Sequence, residues 1–304
     1  MTAASSHPHP DRRLPPGRTA TEATEVSIEL FPPRSPDGAA RLEQVVERLG
    51  RLQPAYVSVT CGASGNPAEG TAPLVDQLRA RGLDGVPHLT CASTTRDEVH
   101  AIARSYRERG IGKIVALRGD RPKTGAIDPA TQYLYATDLV AALTQIGGFE
   151  IAVAAYPEPH PEAPSAEADL ANLKRKVDAG AAQAITQYCF ETDTILRFRD
   201  RMVRAGIDVP LSVGVLPIND FDQMRRFSRR CGAGVPAWLS ERFEAVRADP
   251  AGTTEVAVDV AAEQAQTLIA NDLPRLHFYC LNRATLTIAI CKRLGHQPAL
   301  QAAA

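Results

Sequence analysis

The sequence predicts an α/β fold, a (β/α)8 TIM barrel in a single domain with a disordered N-terminal tail. Three observations predict it. After Glu25, short β-rich runs alternate with longer amphipathic segments eight times over. The roughly 280 residues available suit one barrel. A doubly wound sheet would offer a glycine-rich phosphate turn after its first strand, whereas this chain runs into Phe31-Pro32-Pro33-Arg34. The nearest glycine pair, Gly110 and Gly112, lacks a third glycine and precedes a strand rather than following one.

The elements follow in order. Residues 1–24 hold four prolines and no aromatic residue, too little apolar surface to offset ordering entropy, and read as the tail. No apolar stretch there resembles a secretory signal. The barrel is assigned to 25–304. Strands are expected at 26–31, 55–60, 86–91, 113–118, 150–156, 183–188, 211–216 and 275–281. Helices are expected at 38–50, 71–82, 95–110, 135–146, 166–179, 191–206, 220–231 and 283–294, with an extra one at 253–271. Gly110, Gly180 and Gly206 stand just past helical runs, where helices stop.

Composition removes several function classes. Lys+Arg number 34 and Asp+Glu 35, without the basic surplus of a nucleic-acid binder or of a surface drawn to anionic membranes. No apolar run approaches the 18 residues of a membrane span. The six cysteines (61, 91, 189, 231, 280 and 291) form no C-x-x-C pair, which suits a reduced, cytoplasmic protein, and Cys61, Cys91, Cys189 and Cys280, each after an apolar stretch, read as small buried side chains. No lysine ends a strand, which disfavours a Schiff-base aldolase. Glu29 and Asp120 could pair as glycosidase carboxylates, but aromatics are only 5% of the chain.

Polar residues gather at the C-terminal ends of the strands, the face that carries barrel active sites. In the first strand Val26, Ile28 and Leu30 share one face and Ser27, Glu29 and Phe31 the other, so Glu29 points into the barrel. A carboxylate there needs a partner or a proton; an internal ion pair with an arginine is the plain structural alternative. Further strand ends carry Thr60, His88, Arg118-Gly119-Asp120, Tyr156, His160 and Gln187. Arg118 to Asp120 could equally be a turn with a surface ion pair. On the fifth helix Asp169, Asn172 and Lys176 fall on one face, beside Arg175.

Seven stretches then carry a resemblance: VSIELFPPR (26–34), PHLTC (87–91), ALRGD (116–120), AAYPEPHPEA (154–163), ADLANLKRKVDAGAAQAITQ (168–187), GVLPI (214–218) and HFYCLNRA (277–284). In this order they resemble the methylenetetrahydrofolate reductases of bacterial type, across essentially all of 25–300. The resemblance implies FAD held non-covalently in a barrel without a Rossmann motif. It implies a ping-pong reaction: NADH or NADPH reduces the flavin and leaves, and methylenetetrahydrofolate then takes the hydride to become 5-methyltetrahydrofolate, feeding methionine synthesis. Glu29 becomes the general acid toward folate N10, its pKa raised by burial. Asp120 stabilises the resulting cation and also lies at the flavin. Gln187, Gln223, Phe227 and Arg283 serve the folate and nicotinamide pocket.

Flavin contacts carry over to Thr60, Cys61, Ala63, His88, Arg118, Gly119, Asp120, Tyr156 and His160. Ala136, Asp169, Asn172, Arg175 and Lys176 take the ribose, diphosphate and adenine end. The resemblance also implies a homo-oligomer, dimer or tetramer, with small-molecule substrates and neither nucleic-acid nor membrane partners. Leu30 stands where the family often has Phe, Cys61 where it often has Tyr, and the loop 121–134 differs. No stretch matches the S-adenosylmethionine-sensing domain of eukaryotic relatives, so that regulation is not expected.

Overall fold

A computed structural model describes residues 24–61, 70–120 and 128–296. Eight parallel strands close into a barrel in the order β1 to β8, with β8 pairing back onto β1. The elements are β1 (Glu25–Leu30), α1 (Pro36–Gly50), β2 (Tyr56–Val59), α2 (Thr71–Ala80), β3 (Gly85–Thr90) and α3 (Arg96–Glu108). Next come β4 (Lys113–Leu117), α4 (Ala136–Ile146), β5 (Glu150–Ala155), α5 (Ala166–Asp178), β6 (Gln183–Thr186) and α6 (Thr192–Arg204). The chain continues through β7 (Leu211–Val215), α7 (Phe221–Cys231), α8 (Ala237–Glu244), α9 (Pro250–Ala270), β8 (Arg275–Tyr279) and α10 (Thr285–Arg293).

Local chemistry starts the helices. Ser35, Ser165, Asp220 and Asp249 each accept a backbone N–H of the first turn, and Thr95 forms a capping box with Glu98. Gly110, Gly180 and Gly206 adopt positive φ where the sequence placed helix stops.

The alternation in β1 is realised. Val26, Ile28 and Leu30 join the main core between strands and helices, while Ser27 and Glu29 face inward. Inside the barrel, Tyr56, Val86, Val115, Ala152 and Ile185 form a separate apolar cluster. The other side of the interior is polar: Gln183 Nε2 donates to Ser212 Oγ at 2.7 Å, and Ser27 Oγ lies 2.8 Å from His277 Nδ1. This plug closes the lower barrel and leaves the upper end free for a cavity.

Three differences from the expected elements stand out. All eight strands end one or two residues earlier than expected, although Thr60 and Gln187 still donate their N–H groups to Leu30 O and Ala155 O of the neighbouring strand at 2.9 and 2.8 Å, and both line that cavity. Helix α8 was not expected; only eight residues long, it follows Gly232, Gly234 and Pro236, which read as loop punctuation. Helix α9 starts at Pro250 rather than 253, since Asp249 caps it and proline suits the first helical position. The expected tail falls on residues outside those described, apart from Thr24. Among the described residues no helix is long and apolar enough to cross a membrane.

Candidate active site

A cavity of about 400 Å³ opens at the C-terminal ends of the strands, within the roughly 300–1,000 Å³ of small-molecule sites. Glu29, Thr60, Cys61, His88, Gly119, Asp120, Tyr156, Gln187 and Phe227 all line it, so nine of the sequence-expected residues converge.

Glu29 places a carboxyl group in its wall. Its side chain is 23% exposed, with His88 Nε2 at 3.6 Å and His277 Nε2 at 4.0 Å from Oε2. The buried partner is thus a pair of imidazoles, not an arginine. The Ser27 hydroxyl sits behind His277 Nδ1 and can also donate to Leu276 O at 3.2 Å. It can therefore serve either protonation state of the ring.

The charge state of Glu29 differs from the expectation. Burial pushes the carboxyl up, but a hydrogen bond with His277 and the electrostatic influence of His88 and His277 together draw it down further. Its pKa lies below the ordinary value, so the open cavity holds a carboxylate. Burial is still the largest single influence, and any further loss of water would favour the acid.

His88 is buried, its Nε2 has no hydrogen-bond partner, and burial lowers its pKa from 6.5 to about 4. The imidazole is neutral at working pH. Unfolded, it takes a proton at its ordinary pKa, so the unfolded state binds more protons between pH 6.5 and 4. His88 therefore leaves stability intact above about pH 6.5 and removes up to about 3 kcal/mol on acidification to pH 4. Chemical denaturation at stepped pH is expected to show this slope, and to show less of it in His88→Asn.

Aromatic residues shape the remaining wall. The Tyr279 ring lines the cavity, and its hydroxyl donates to Thr186 O at 2.7 Å. Burial and the Glu29 charge hold this phenol well above its usual range. Phe227, at the mouth, stacks on Tyr188 with centroids 6.3 Å apart. Tyr188 is pinned by Ser228 Oγ, 3.0 Å from its hydroxyl.

Other expected residues stand outside the cavity lining. Arg118 pairs with Glu162, in the loop after β5, through contacts of 2.8 and 3.2 Å. His160 meets the Tyr156 ring edge-on at 4.9 Å, and its backbone N–H donates to Asp169 Oδ2 at 2.9 Å. Asn172 accepts from Arg175. Lys176 donates to Ala154 O at 2.5 Å, and burial lowers its pKa to about 8. Ala136 opens α4, Gln223 lies one turn before Phe227 on α7, and Arg283 is exposed beyond β8. Ala63 lies outside the described residues.

A model of the methylenetetrahydrofolate reductase family matches residues 17–295. The chain belongs to that family. The 5,10-methylenetetrahydrofolate reductase of Salmonella typhimurium is 46% identical over 276 residues, covering 90% of this chain and 92% of the relative. The Escherichia coli (strain K12) enzyme of that name is 45% identical with the same coverage. That of Buchnera aphidicola subsp. Baizongia pistaciae is 39% identical over 278 residues, covering 91% and 93%. Among solved structures, an uncharacterised Clostridium thermocellum protein that binds two copies of 5-methyl-5,6,7,8-tetrahydrofolic acid has the same fold. It gives a TM-score of 0.63 at 14% identity, covering 90% of this chain and 96% of that one. Family membership makes the chain an oxidoreductase that reduces methylenetetrahydrofolate. The cavity is its candidate active site.

Proposed function

We propose that this reductase moves hydride from NADH or NADPH to methylenetetrahydrofolate through non-covalently bound FAD, in two half-reactions that share one cavity. The observation that carries the reading is a carboxyl group, Glu29, set between two imidazoles at the cavity wall. Reducing the folate bridge requires a proton on its amine nitrogen, and Glu29 is the acid placed to give one.

The residues present fit a flavin. The buried, unpartnered His88 Nε2 suits a neutral heteroaromatic ring. Gly119 lines the cavity at φ +82°, where an added Cβ would stand 3.0 Å from Thr90 Cβ, so the backbone itself is free to approach a flat ring. Thr60, Cys61, Arg118, Tyr156 and His160 would hold the ring and ribityl chain. Arg175 and Lys176, with Ala136, Asp169 and Asn172, would hold the ribose, diphosphate and adenine. When bound, the flavin supplies the hydride acceptor and donor that no side chain provides.

The side chains do the rest. A ring filling the cavity excludes water from the 23%-exposed Glu29 side chain, and lost solvation favours the protonated acid. Glu29 then donates to the folate amine. His277, backed by Ser27 and 4.0 Å from the carboxylate, stands where a proton could be returned to it. Asp120 at the rim faces the cation that ring opening creates, and stabilises it. Gln187 presents an amide to folate and nicotinamide in turn, aided by Gln223 and Arg283, and Phe227 bounds the exchangeable position. A non-catalytic carrier would need no acid at Glu29. 5-Methyltetrahydrofolate leaves as product, for use in methionine synthesis. A cytoplasmic dimer or tetramer completes the reading, the six free thiols suiting a reducing compartment.

Purified protein is expected to be yellow and to release flavin on denaturation. In anaerobic stopped flow, NADH or NADPH bleaches the flavin, and methylenetetrahydrofolate alone restores its absorbance. Protein that cannot be loaded with FAD overturns the cofactor. Reoxidation that requires nucleotide to be present overturns the shared cavity.

A further inference from the structure

Past the cavity wall, the seam that closes the barrel is extended by a side chain. The backbone pairing of β1 with β8 ends at Glu29 and Tyr279. Beyond it, the Phe31 N–H donates to Asn282 Oδ1 at 3.0 Å and Asn282 Nδ2 donates to Phe31 O at 2.8 Å. One amide side chain thus satisfies both polar groups of a residue 251 positions away. A second tie lies next to it: the Cys280 thiol donates to Glu29 O at 3.2 Å. Burial pushes that thiol up to about 12, so it remains a donor at neutral pH.

The turn that delivers Asn282 has an unusual backbone. Leu281 and Asn282 lie consecutively in the left-handed region, at φ +52° and +55°. Asparagine tolerates that region, whereas leucine adopts it only where its surroundings hold it. The consequence is a partly exposed leucine in the cavity wall, directly across the seam from the end of the strand that carries Glu29.

We propose that Asn282 is a positioning residue for folate reduction. Its amide replaces the missing backbone rung, and in doing so fixes Leu281 in the cavity wall and the end of β1 behind Glu29. The proposal rests on the cavity being the folate site; only its effect on turnover rests on Glu29 as the acid.

Asn282→Gly is the informative variant, because glycine accepts φ +55° without strain and only the two side-chain hydrogen bonds are lost. In the cofactor-loaded full chain, amide exchange at Phe31 is expected to quicken by about tenfold or more. KM for methylenetetrahydrofolate is expected to rise about tenfold, the scale of one lost contact, with little change in the thermal midpoint. Asn282→Asp keeps an acceptor for the Phe31 N–H but no donor for its carbonyl, and is expected to fall between the two in both measurements. It also serves if the glycine variant folds poorly. Unchanged Phe31 exchange in both variants removes the clamp. Faster exchange with an unchanged KM reduces it to a structural seam and overturns the proposal. Failure of the acid reading looks different: Glu29→Gln would retain full folate reduction, whatever Asn282 does to exchange and KM.

Discussion

Glu29→Gln is expected to slow methylenetetrahydrofolate reduction by about 10²- to 10⁴-fold, the usual span for a positioned general acid. Reduction of the bound flavin by NAD(P)H is expected to continue at close to the wild-type rate. The asymmetry follows from what each half-reaction needs. Hydride transfer from nicotinamide demands no proton from the chain, whereas opening the folate ring demands one at the amine nitrogen. Glutamine matches glutamate in size and can keep its place beside His88, 3.6 Å from the present carboxylate, but it has no proton to give. Nor is collapse of the site expected, because the substitution removes a charge from between two buried rings rather than stranding one. Stopped-flow measurement of each half-reaction separates the outcomes. Equal losses in both would make Glu29 a structural residue, its carboxylate serving only to hold His88 and His277 in place.

The parts of this site legible in the sequence are those that depend on one strand at a time. The alternation of Val26, Ile28 and Leu30 against Ser27 and Glu29 needs only the period of a strand, and it places the acid inside the barrel. Gly119 and Asp120, directly after β4, could be read the same way. What remained hidden depends on closure. His277 meets Ser27 across 250 positions of sequence, and it reaches Glu29 only because β8 returns to β1. Without both imidazoles, burial alone would raise the carboxyl, which is the expectation that the structure reverses. Tyr188 and Tyr279 escaped selection from spacing because an aromatic residue at a strand end usually belongs to the core. Here they bound the cavity, and only the HFYCLNRA stretch carried a signal for the second of them. Arg118 shows the converse. The fold brings Glu162, 44 positions on, within 2.8 Å of it, an interaction that no local pattern announces.

Gly214→Ala is expected to cost about 1–3 kcal/mol in stability, toward the upper end of the range for overpacked interiors, and to disturb the cavity floor as well. Gly214 lies within β7, where nothing about φ calls for glycine; the demand is for space. A Cβ there would stand 2.3 Å from the backbone oxygen of Thr186 and 2.5 Å from Cε2 of Tyr279. The first contact cannot be relieved by a rotamer change. Moving the Thr186 backbone strains a residue already tied to Gly214 by its hydroxyl, 2.9 Å from the Gly214 nitrogen. The second contact pushes on the ring whose hydroxyl is bonded to that same Thr186 oxygen at 2.7 Å, so both clashes load one small junction of β6, β7 and β8. Because Tyr279 stands opposite Glu29 in the strand register, displacement of its ring reaches the acid. Urea denaturation is expected to show the loss of stability, and folate titration of the loaded protein a weakened affinity. Adding Tyr279→Ala removes the ring clash but not the backbone one, so the double variant is expected to regain little stability. Full recovery in the double variant would show that the tyrosine alone, and not the close passage of β7 beneath Thr186, accounts for the glycine.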